Sequence, residues 1–376
     1  MAEWKVVKLA DVCTVLNGRA YSQPELLNSG KYKVVRVGNL VGGDRFYYSD
    51  MELDEDKYCL EGDLLYAWAC SFDSYIWKEG KTIFHYHIWK LLPKEDLLDK
   101  KFFYFYLKRL TQKLLGKTNG SVMQHITKNL FENTVFPLPP LPTQQKIAAI
   151  LSSLDDKIEL NNKINENLEQ QAQALFKSWF VDFEPFGGKM PEGWKVGKLS
   201  EIAEITMGQS PDGKSYNEDG IGTVFYQGRA EFGTRFPTRR LFTTEPKRMA
   251  KKFDTLMSVR APVGDTNIAN EDCCIGRGLA AIQSKDKHQS FVHYTALSLR
   301  TQLDIFNGEG TVFGCINRNA LNNMEVVIPS KEDLDKFEQI IASMDADIFN
   351  RSEENSRLKD IRDTLLPKLM NGEIKI

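Results

Sequence analysis

The chain has 376 residues, of which 42% are hydrophobic and 27% charged, and its formal net charge is −2. These values are typical of an ordinary soluble globular protein of two or three domains. The N-terminus lacks a signal pattern, no apolar run reaches the roughly 18–20 residues of a membrane span, and the six cysteines form no C-x-x-C pair. We therefore expect a cytoplasmic protein with no membrane partner, no disulfide framework and no metal site.

Residues 1–141 predict a mixed α+β domain. Short runs rich in β-branched and aromatic residues at 34–37, 64–67 and 83–89 lie between glycine-containing turns, and a helical pattern follows at about 96–116. The proline-rich stretch 137–142 then stiffens the exit from this domain.

Residues 142–188 predict a long spacer helix followed by a linker. Apolar residues recur in alternating steps of four and three, which is the 3.5-residue period of a coiled-coil seam. The seam residues are Ile147, Leu151, Leu154, Ile158, Asn161, Asn165, Leu168, Ala172, Leu175 and Trp179.

Residues 189–330 repeat the mixed texture, with strand-like runs at 223–227, 255–259 and 274–282 and a helical stretch at about 288–306. Ser330 and Asp333 then form an N-cap pattern for a second long helix.

Residues 331–376 predict a second spacer helix and a C-terminal tail. Its seam residues are Phe337, Ile341, Met344, Ile348, Arg351, Asn355, Leu358, Arg362, Leu365 and Leu369. Both seams become polar at the same depth, at Asn161 and Asn165 in one and at Arg351 and Asn355 in the other. Polar seam residues cost stability but fix the register and orientation of a helix pair.

The chain is an internal duplication. Residues 194–370 match residues 4–180 at an offset of about 190, so that Trp4 corresponds to Trp194, Gly18 to Gly208 and Ile126 to Ile316. A repeat of this length is a duplicated domain, since solenoid units span only about 20–50 residues. We expect pseudo-two-fold symmetry, with two helices of roughly 50–60 Å pairing antiparallel and holding two domains at a fixed separation. That geometry matches a double helix read at two places.

On these residues the chain resembles the specificity subunit of type I restriction–modification systems. The resemblance covers nearly the whole chain, and its specificity comes from the order of the matching motifs together with the duplication. The matching stretches are 4–9, 34–40, 62–65, 136–142, 145–151 and 175–186 in the first half and 258–265, 275–279 and 365–372 in the second.

The resemblance implies an α+β fold in which two similar mixed-sheet target-recognition domains are each followed by a long helix, the two helices pairing as an antiparallel coiled coil. It also implies a non-catalytic subunit that reads a bipartite, asymmetric site in double-stranded DNA, with one domain per half-site. Two modification subunits, which carry S-adenosylmethionine and methylate adenine, and two restriction (motor-nuclease) subunits are the implied protein partners. No cofactor is expected in this chain. The second domain departs mildly from the pattern in being more basic than the first.

DNA recognition requires cations for phosphates and polar groups for base edges. Residues 229–260 hold nine Lys and Arg against three acids, which hints at a polyanion footprint. The candidate DNA contacts are Arg36, Asn39, Arg45, His85, Lys117, Asn119, Gln124, His125 and Lys128 in the first domain and Gln209, Gln227, Arg229, Arg235, Arg239, Arg240, Arg260, Arg277 and Arg318 in the second. For Arg260 and Arg277, which sit in apolar runs, a buried structural role is an open alternative.

Two other classes of function stay open on the sequence. A pseudo-dimeric DNA-binding regulator or scaffold would need no partner subunits to bind its site. A nuclease or methyltransferase would need a catalytic motif, and the chain offers only fragments: Asp63 with Glu79 and Lys81 imitates a nuclease metal site, and 306–310 imitates a methyltransferase cofactor loop. His85 and His87 share a strand face as metal ligands do, but no third ligand is evident, so a polar face towards solvent or DNA is the preferred interpretation.

Overall fold

The computed structural model describes residues 4–115, 126–307 and 314–376. The chain divides into two compact units. Unit 1 comprises residues 1–160 and 354–376, and unit 2 comprises residues 161–353. Within the described ranges, no helix is both long and apolar enough to cross a membrane.

Unit 1 is an α+β domain. Its strands are β1 (Lys5–Lys8), β2 (Cys13–Asn17), β3 (Tyr32–Val35), β4 (Tyr47–Ser49), β5 (Tyr58–Cys59), β6 (Leu64–Ala67), β7 (Ser74–Ile76), β8 (Thr82–Phe84), β9 (Ile88–Pro93) and β10 (Val135–Leu138). Its helices are α1 (Leu9–Val12), α2 (Val37–Leu40), α3 (Lys100–Leu115), α4 (Lys128–Glu132) and the first part of α5 (Leu141–Phe180).

Two four-stranded sheets and one strand pair form unit 1. The antiparallel sheet has the order β2-β9-β6-β7, the mixed sheet has the order β4-β3-β8-β5 with β3 and β8 parallel, and β1 pairs with β10. Every residue of the inner strand β6 is buried, as its unbroken apolar run requires. Leu64, Trp89, Phe102 and Phe131 form a core with Ile147 of α5.

Unit 2 has the same kind of architecture. Its strands are β11 (Lys195–Lys198), β12 (Ala203–Met207), β13 (Tyr216–Asn217), β14 (Thr223–Tyr226), β15 (Phe242–Thr243), β16 (Met249–Ala250), β17 (Thr255–Ser258), β18 (Thr266–Ile268), β19 (Cys273–Ile275), β20 (Leu279–Ser284) and β21 (Glu325–Ile328). Its helices are α6 (Leu199–Ile202), α7 (Gln289–Ser298), α8 (Arg300–Leu303), α9 (Arg318–Asn322) and most of α10 (Lys331–Met370).

The sheets of unit 2 reproduce those of unit 1. The antiparallel order β12-β20-β17-β18 corresponds to β2-β9-β6-β7, β11 pairs with β21 as β1 pairs with β10, and a mixed sheet has the order β13-β15-β14-β19-β16. Its single parallel pair, β14 with β19, corresponds to β3 with β8. The predicted α+β class and the predicted duplication are therefore confirmed at the level of strand connectivity.

Three predicted elements are divided in the structure. The expected strand 83–89 is two strands, β8 and β9, separated by a turn at residues 85–87, and the expected strand 274–282 is likewise interrupted at 276–278. The expected helix 288–306 is α7, α8 and a short 3-10 segment. Both predicted strands were wrong as single elements, because at each of these turns the chain leaves one sheet and enters another.

Both long helices form as predicted. Helix α5 begins at Leu141, directly after Pro139 and Pro140, and α10 begins at Lys331. The hydroxyl of Ser330 accepts a hydrogen bond from the Asp333 backbone N–H at 3.2 Å, which is the expected N-cap.

Within unit 1, the start of α5 packs antiparallel against the end of α10. Ile147 and Leu151 share a core with Leu365 and Leu369. Further along α5, Asp155 pairs with Arg362 of α10 at 2.8 Å. Residue numbers rise along one helix as they fall along the other, so the two segments run in opposite directions.

Within unit 2, the remaining parts of the two helices also pair antiparallel. The Phe176 and Phe337 rings lie 6.1 Å apart. The expected polar layer is present, because Arg351 donates to the Asn161 side chain at 3.4 Å and Asn165 donates to the Ser352 hydroxyl at 3.2 Å. All predicted seam residues of both helices are buried or half-buried.

The compact units divide the chain within the two long helices. Each unit takes part of both helices, and the division falls after Leu160 and after Glu353. The cause is packing: each globular domain shares a hydrophobic core with its adjacent segments of both α5 and α10. The boundaries near residues 141 and 330, which separate each globular domain from its helix, stay a prediction.

Candidate nucleic-acid interface

Much of the positive charge between residues 229 and 260 is already neutralised inside unit 2. Arg229 pairs with Asp265 at 2.7 Å, Arg240 pairs with Glu231 at 2.8 Å, and Arg239 pairs with Glu271. A guanidinium held by a carboxylate must exchange that partner before it contacts a phosphate. The basic stretch is therefore a weaker polyanion footprint than its charge count indicates.

Arg235 does not fit the prediction that it contacts DNA. Its side chain is only 8% exposed and pairs with both Glu169 and Asp345. It also donates to the Tyr294 hydroxyl at 3.0 Å. Burial with two carboxylates leaves no free edge for a nucleic acid, so Arg235 serves to join the globular part of unit 2 to both of its helix segments.

In unit 1, the candidates Arg36 and Arg45 are exposed while Asn39 shapes the loop between them. The Asn39 side chain accepts from the Arg36 backbone N–H at 2.9 Å and donates to the Arg45 carbonyl at 2.9 Å. Among the residues that the structure describes, no acid pairs with Arg36 or Arg45. Asn39 is thus a loop-forming residue that presents two arginines.

His85 lies among aromatic rings. Its ring centroid is 4.4 Å from that of Tyr86 and 4.9 Å from that of His87. Burial, the neighbouring His87 and the Arg36 charge lower the pKa of His85 to about 4, and burial and Arg36 also lower the pKa of His87. Both imidazoles are therefore neutral at pH 7, able to donate and accept hydrogen bonds but not to neutralise a phosphate.

The remaining candidates are distributed as follows. Lys128 donates to the Val15 carbonyl at 2.9 Å and lies 3.5 Å from Glu132. The candidates Gln209, Gln227, Arg260, Arg277 and Arg318 are exposed, and no carboxylate in the described ranges pairs with the three arginines. Four candidates lie outside the described residues: Lys117, Asn119, Gln124 and His125.

Two turns occupy the same place in the two units. Turn 1 (residues 85–87) joins β8 to β9, and turn 2 (residues 276–278) joins β19 to β20. Five backbone hydrogen bonds recur around them. In each pair the residue named first donates its backbone N–H to the carbonyl of the second, and the two units follow in matching order. The pairs of unit 1 are His85 to Val35, Arg19 to Phe84, Ile88 to His85, Gly18 to Ile88 and Trp68 to His87. The pairs of unit 2 are Gly276 to Tyr226, Gln209 to Ile275, Leu279 to Gly276, Gly208 to Leu279 and Val259 to Gly278.

Gly18 and Gly208 are required by this shared frame. A Cβ atom at Gly18 would overlap the His85 carbonyl oxygen, and one at Gly208 would overlap the Gly276 carbonyl oxygen. These two glycines therefore serve the backbone, and each marks the close approach of its turn to the preceding strand.

The residues that imitated a nuclease site are engaged elsewhere. Asp63 accepts from the Leu60 backbone N–H at 2.9 Å, as its repeat mate Asp254 does from Lys251 at 2.8 Å. Glu79 pairs with Lys33 at 2.5 Å. Over the described ranges, no group of three or more His, Cys, Asp and Glu side chains is arranged to hold a metal ion.

Sequence reasoning missed Arg19, Trp68 and Tyr86 around turn 1. The Trp68 indole donates to the Tyr86 carbonyl at 2.7 Å, and Arg19 pairs with Glu25 at 2.6 Å. A signal was available, because the repeat offset aligns Arg19 with the candidate Gln209 and Tyr86 with the candidate Arg277.

Comparisons with known proteins agree with this architecture. The family model described as the type I restriction modification DNA specificity domain matches twice, at residues 1–170 and 191–359. A specificity subunit assigned to the type I restriction enzyme MjaX of Methanocaldococcus jannaschii is 30% identical over 409 residues, covering 100% of this chain and 94% of that protein. The HindI specificity subunit of Haemophilus influenzae is 24% identical over 467 residues, covering 100% of both.

The solved structure of the S subunit of a type I restriction-modification system from M. genitalium has the same fold. Its TM-score is 0.65 at 18% identity, with coverage of 97% of this chain and 96% of that one.

Proposed function

Since this chain belongs to the type I restriction modification DNA specificity family, in which it is a specificity subunit with two target-recognition domains, we propose that each unit reads one half of a bipartite, asymmetric DNA site. The observation that carries this proposal is the shared backbone frame around turns 1 and 2. The backbone hydrogen bonds of the two turns are the same, but the exposed side chains that they present differ. This is the arrangement expected of two domains that read two different half-sites.

The proposal extends to the partners. Two modification subunits, which carry S-adenosylmethionine and methylate adenine, assemble with this chain, and two restriction subunits join them for cleavage. The chain itself supplies recognition and no catalysis, and it acts in the cytoplasm with the DNA that it reads. The engagement of Asp63 and Glu79 in loop and ion-pair contacts supports the non-catalytic role.

Methylome sequencing tests the proposal. A methylation-free host would express this chain together with its cognate modification subunit, and a matched strain would express the modification subunit alone. We expect N6-methyladenine on both strands of an asymmetric two-part motif in the first strain only. If the complex assembles and binds S-adenosylmethionine but adds no methylation, the chain is instead a DNA-binding regulator or a scaffold.

A further inference from the structure

The shared hydrogen-bond frame around turns 1 and 2 aligns three exposed or half-exposed residues of unit 1 with three residues of unit 2. Because the hydrogen-bond frames match, Tyr86 corresponds to Arg277, the residue at the centre of each turn. By the same alignment, Arg36 corresponds to Gln227 and Arg19 to Gln209. The backbone is shared, but the chemistry of the side chains is not.

Turn 1 presents uncharged rings. Tyr86 is 39% exposed, and its ring lies 4.0 Å from that of His87 and 4.4 Å from that of His85. The Trp68 indole also holds the Tyr86 carbonyl, so that the centre of the turn is fixed from behind. An ordered ring surface of this kind makes apolar and hydrogen-bonding contacts with base edges at little entropic cost.

Turn 2 presents a single cation. Both neighbours of Arg277 are glycines, and neither can carry a side chain without crowding the backbone. A Cβ atom at Gly276 would lie 2.7 Å from the Gln227 carbonyl oxygen, and one at Gly278 would lie 3.0 Å from it. Among the described residues, no carboxylate pairs with Arg277, in contrast to Arg229. Its guanidinium therefore keeps both donor edges for a bidentate contact, which is the geometry that matches guanine O6 and N7.

We propose that turns 1 and 2 are the base-reading elements of the two units, with Arg277 reading a guanine in one half-site and Tyr86 setting the preference at one position of the other. This inference rests on the proposed function, since it names the residues with which each unit reads its half-site. The two half-sites are then read at equivalent places by different chemistry, with a cation at the centre of turn 2 and a neutral ring at the centre of turn 1. The flanking positions are reversed in charge, since Arg36 and Arg19 of unit 1 correspond to Gln227 and Gln209 of unit 2.

A contact to phosphate is the competing role for Arg277, and it has a distinct signature. A phosphate contact weakens binding about equally on every sequence, whereas a base contact relaxes the preference at one position. Only a measurement that resolves each base of the site separates these two roles.

The test is a binding selection from a randomised-site DNA library by the assembled methyltransferase complex, read by sequencing. The complexes would carry wild-type chain, Arg277→Ala, Tyr86→Ala, or Lys285→Ala as the control, since Lys285 follows the far end of β20. We expect Arg277→Ala to lose about five- to hundredfold discrimination at one guanine and to leave the other half-site unchanged. Tyr86→Ala should relax one position in that other half-site, and Lys285→Ala should select the wild-type motif.

Arg277→Gln and Tyr86→Phe serve as second variants if an alanine variant unfolds at a lower temperature than wild type. Unchanged motifs in the folded variants, or a uniform loss of affinity on all sequences, would overturn the inference. Failure of the proposed function looks different: a scaffold would select no motif even as wild type, and a regulator would select its motif without the modification subunits.

Discussion

The guanidinium of Arg362 lies 2.8 Å from the carboxylate of Asp155, joining α10 to α5 inside unit 1. Both side chains are 27% exposed, so this ion pair is only partly screened by water. Arg362 also contacts Asp363 at 2.9 Å, and a single substitution of Arg362 therefore removes two contacts.

We expect a double-mutant cycle of Arg362→Ala and Asp155→Ala to give a coupling free energy of about 0.5–1.5 kcal/mol, because the cycle cancels the Asp363 contact. Denaturant unfolding of the four proteins measures it. The cycle on the exposed pair Lys331 and Asp335 is the control, with an expected coupling of about 0–0.5 kcal/mol. Equal coupling free energies in the two cycles would show that the half-buried position of the Arg362–Asp155 pair does not strengthen it.

Arg235→Ala should destabilise unit 2 by about 2–3 kcal/mol, because the half-buried carboxylates of Glu169 and Asp345 would lose the cation that neutralises them. Hydrogen exchange followed by mass spectrometry would report faster exchange in α7 and in residues 337–348. Arg229→Ala is the matched control, since Arg229 is 52% exposed and its partner Asp265 keeps Arg300. Equal effects of the two substitutions would argue against the structural role of Arg235.

His288 should make unit 2 more stable at mildly acidic pH. Burial alone would lower the pKa of His288, but the hydrogen bond that its ring donates to Asp335 at 2.8 Å and the contact with Asp286 at 3.0 Å, together with the charge of Glu338, raise that pKa above its ordinary value. A raised folded-state pKa means that the contribution is fully present below the unfolded pKa of about 6.5 and is lost as pH rises through the folded pKa.

The free energy of unfolding of wild type and of His288→Gln would be compared at pH 5.5 and pH 9. We expect the free energy of unfolding of wild type to exceed that of His288→Gln by more at pH 5.5 than at pH 9. An advantage that grows with rising pH would have the wrong sign for this mechanism.

Asp265→Asn should strengthen sequence-independent DNA binding by the assembled complex. The Asp265 carboxylate holds the exposed Arg229 and the Arg300 side chain beside an open cavity of about 430 Å³. The amide would release Arg229, whereas Arg300 keeps Asp304 at 3.4 Å. DNA titrations at several salt concentrations give the slope of the logarithm of the binding constant against the logarithm of the salt concentration. One additional phosphate contact should make this slope steeper by roughly 0.9. The control is Glu245→Gln, which makes the same charge change in unit 2 without breaking an ion pair in the described structure. If both variants bind DNA equally more tightly, the cause is the change in net charge and not the release of a cation.

The fold was largely predictable because its signals are periodic. The 3.5-residue spacing identified seam residues such as Leu151 and Ile341, both of which are fully buried. The role of Arg235 was not predictable, since its partner Asp345 is 110 residues away and the local sequence shows only a basic stretch. Tyr86 was missed for a related reason: an aromatic residue between two histidines looks like the middle of a strand, and only the three-dimensional frame reveals a turn.

The five hydrogen bonds shared by turns 1 and 2 join backbone donors to backbone acceptors, and the side chains of Tyr86 and Arg277 take no part in them. Exchanging the side chain at position 86 or 277 therefore leaves no buried polar group unpaired and costs little stability. If the two turns read bases as proposed, natural selection can alter the target preference by single codon changes without first repairing the fold. Because the duplicated gene halves diverge separately, one half-site can drift while the other is preserved.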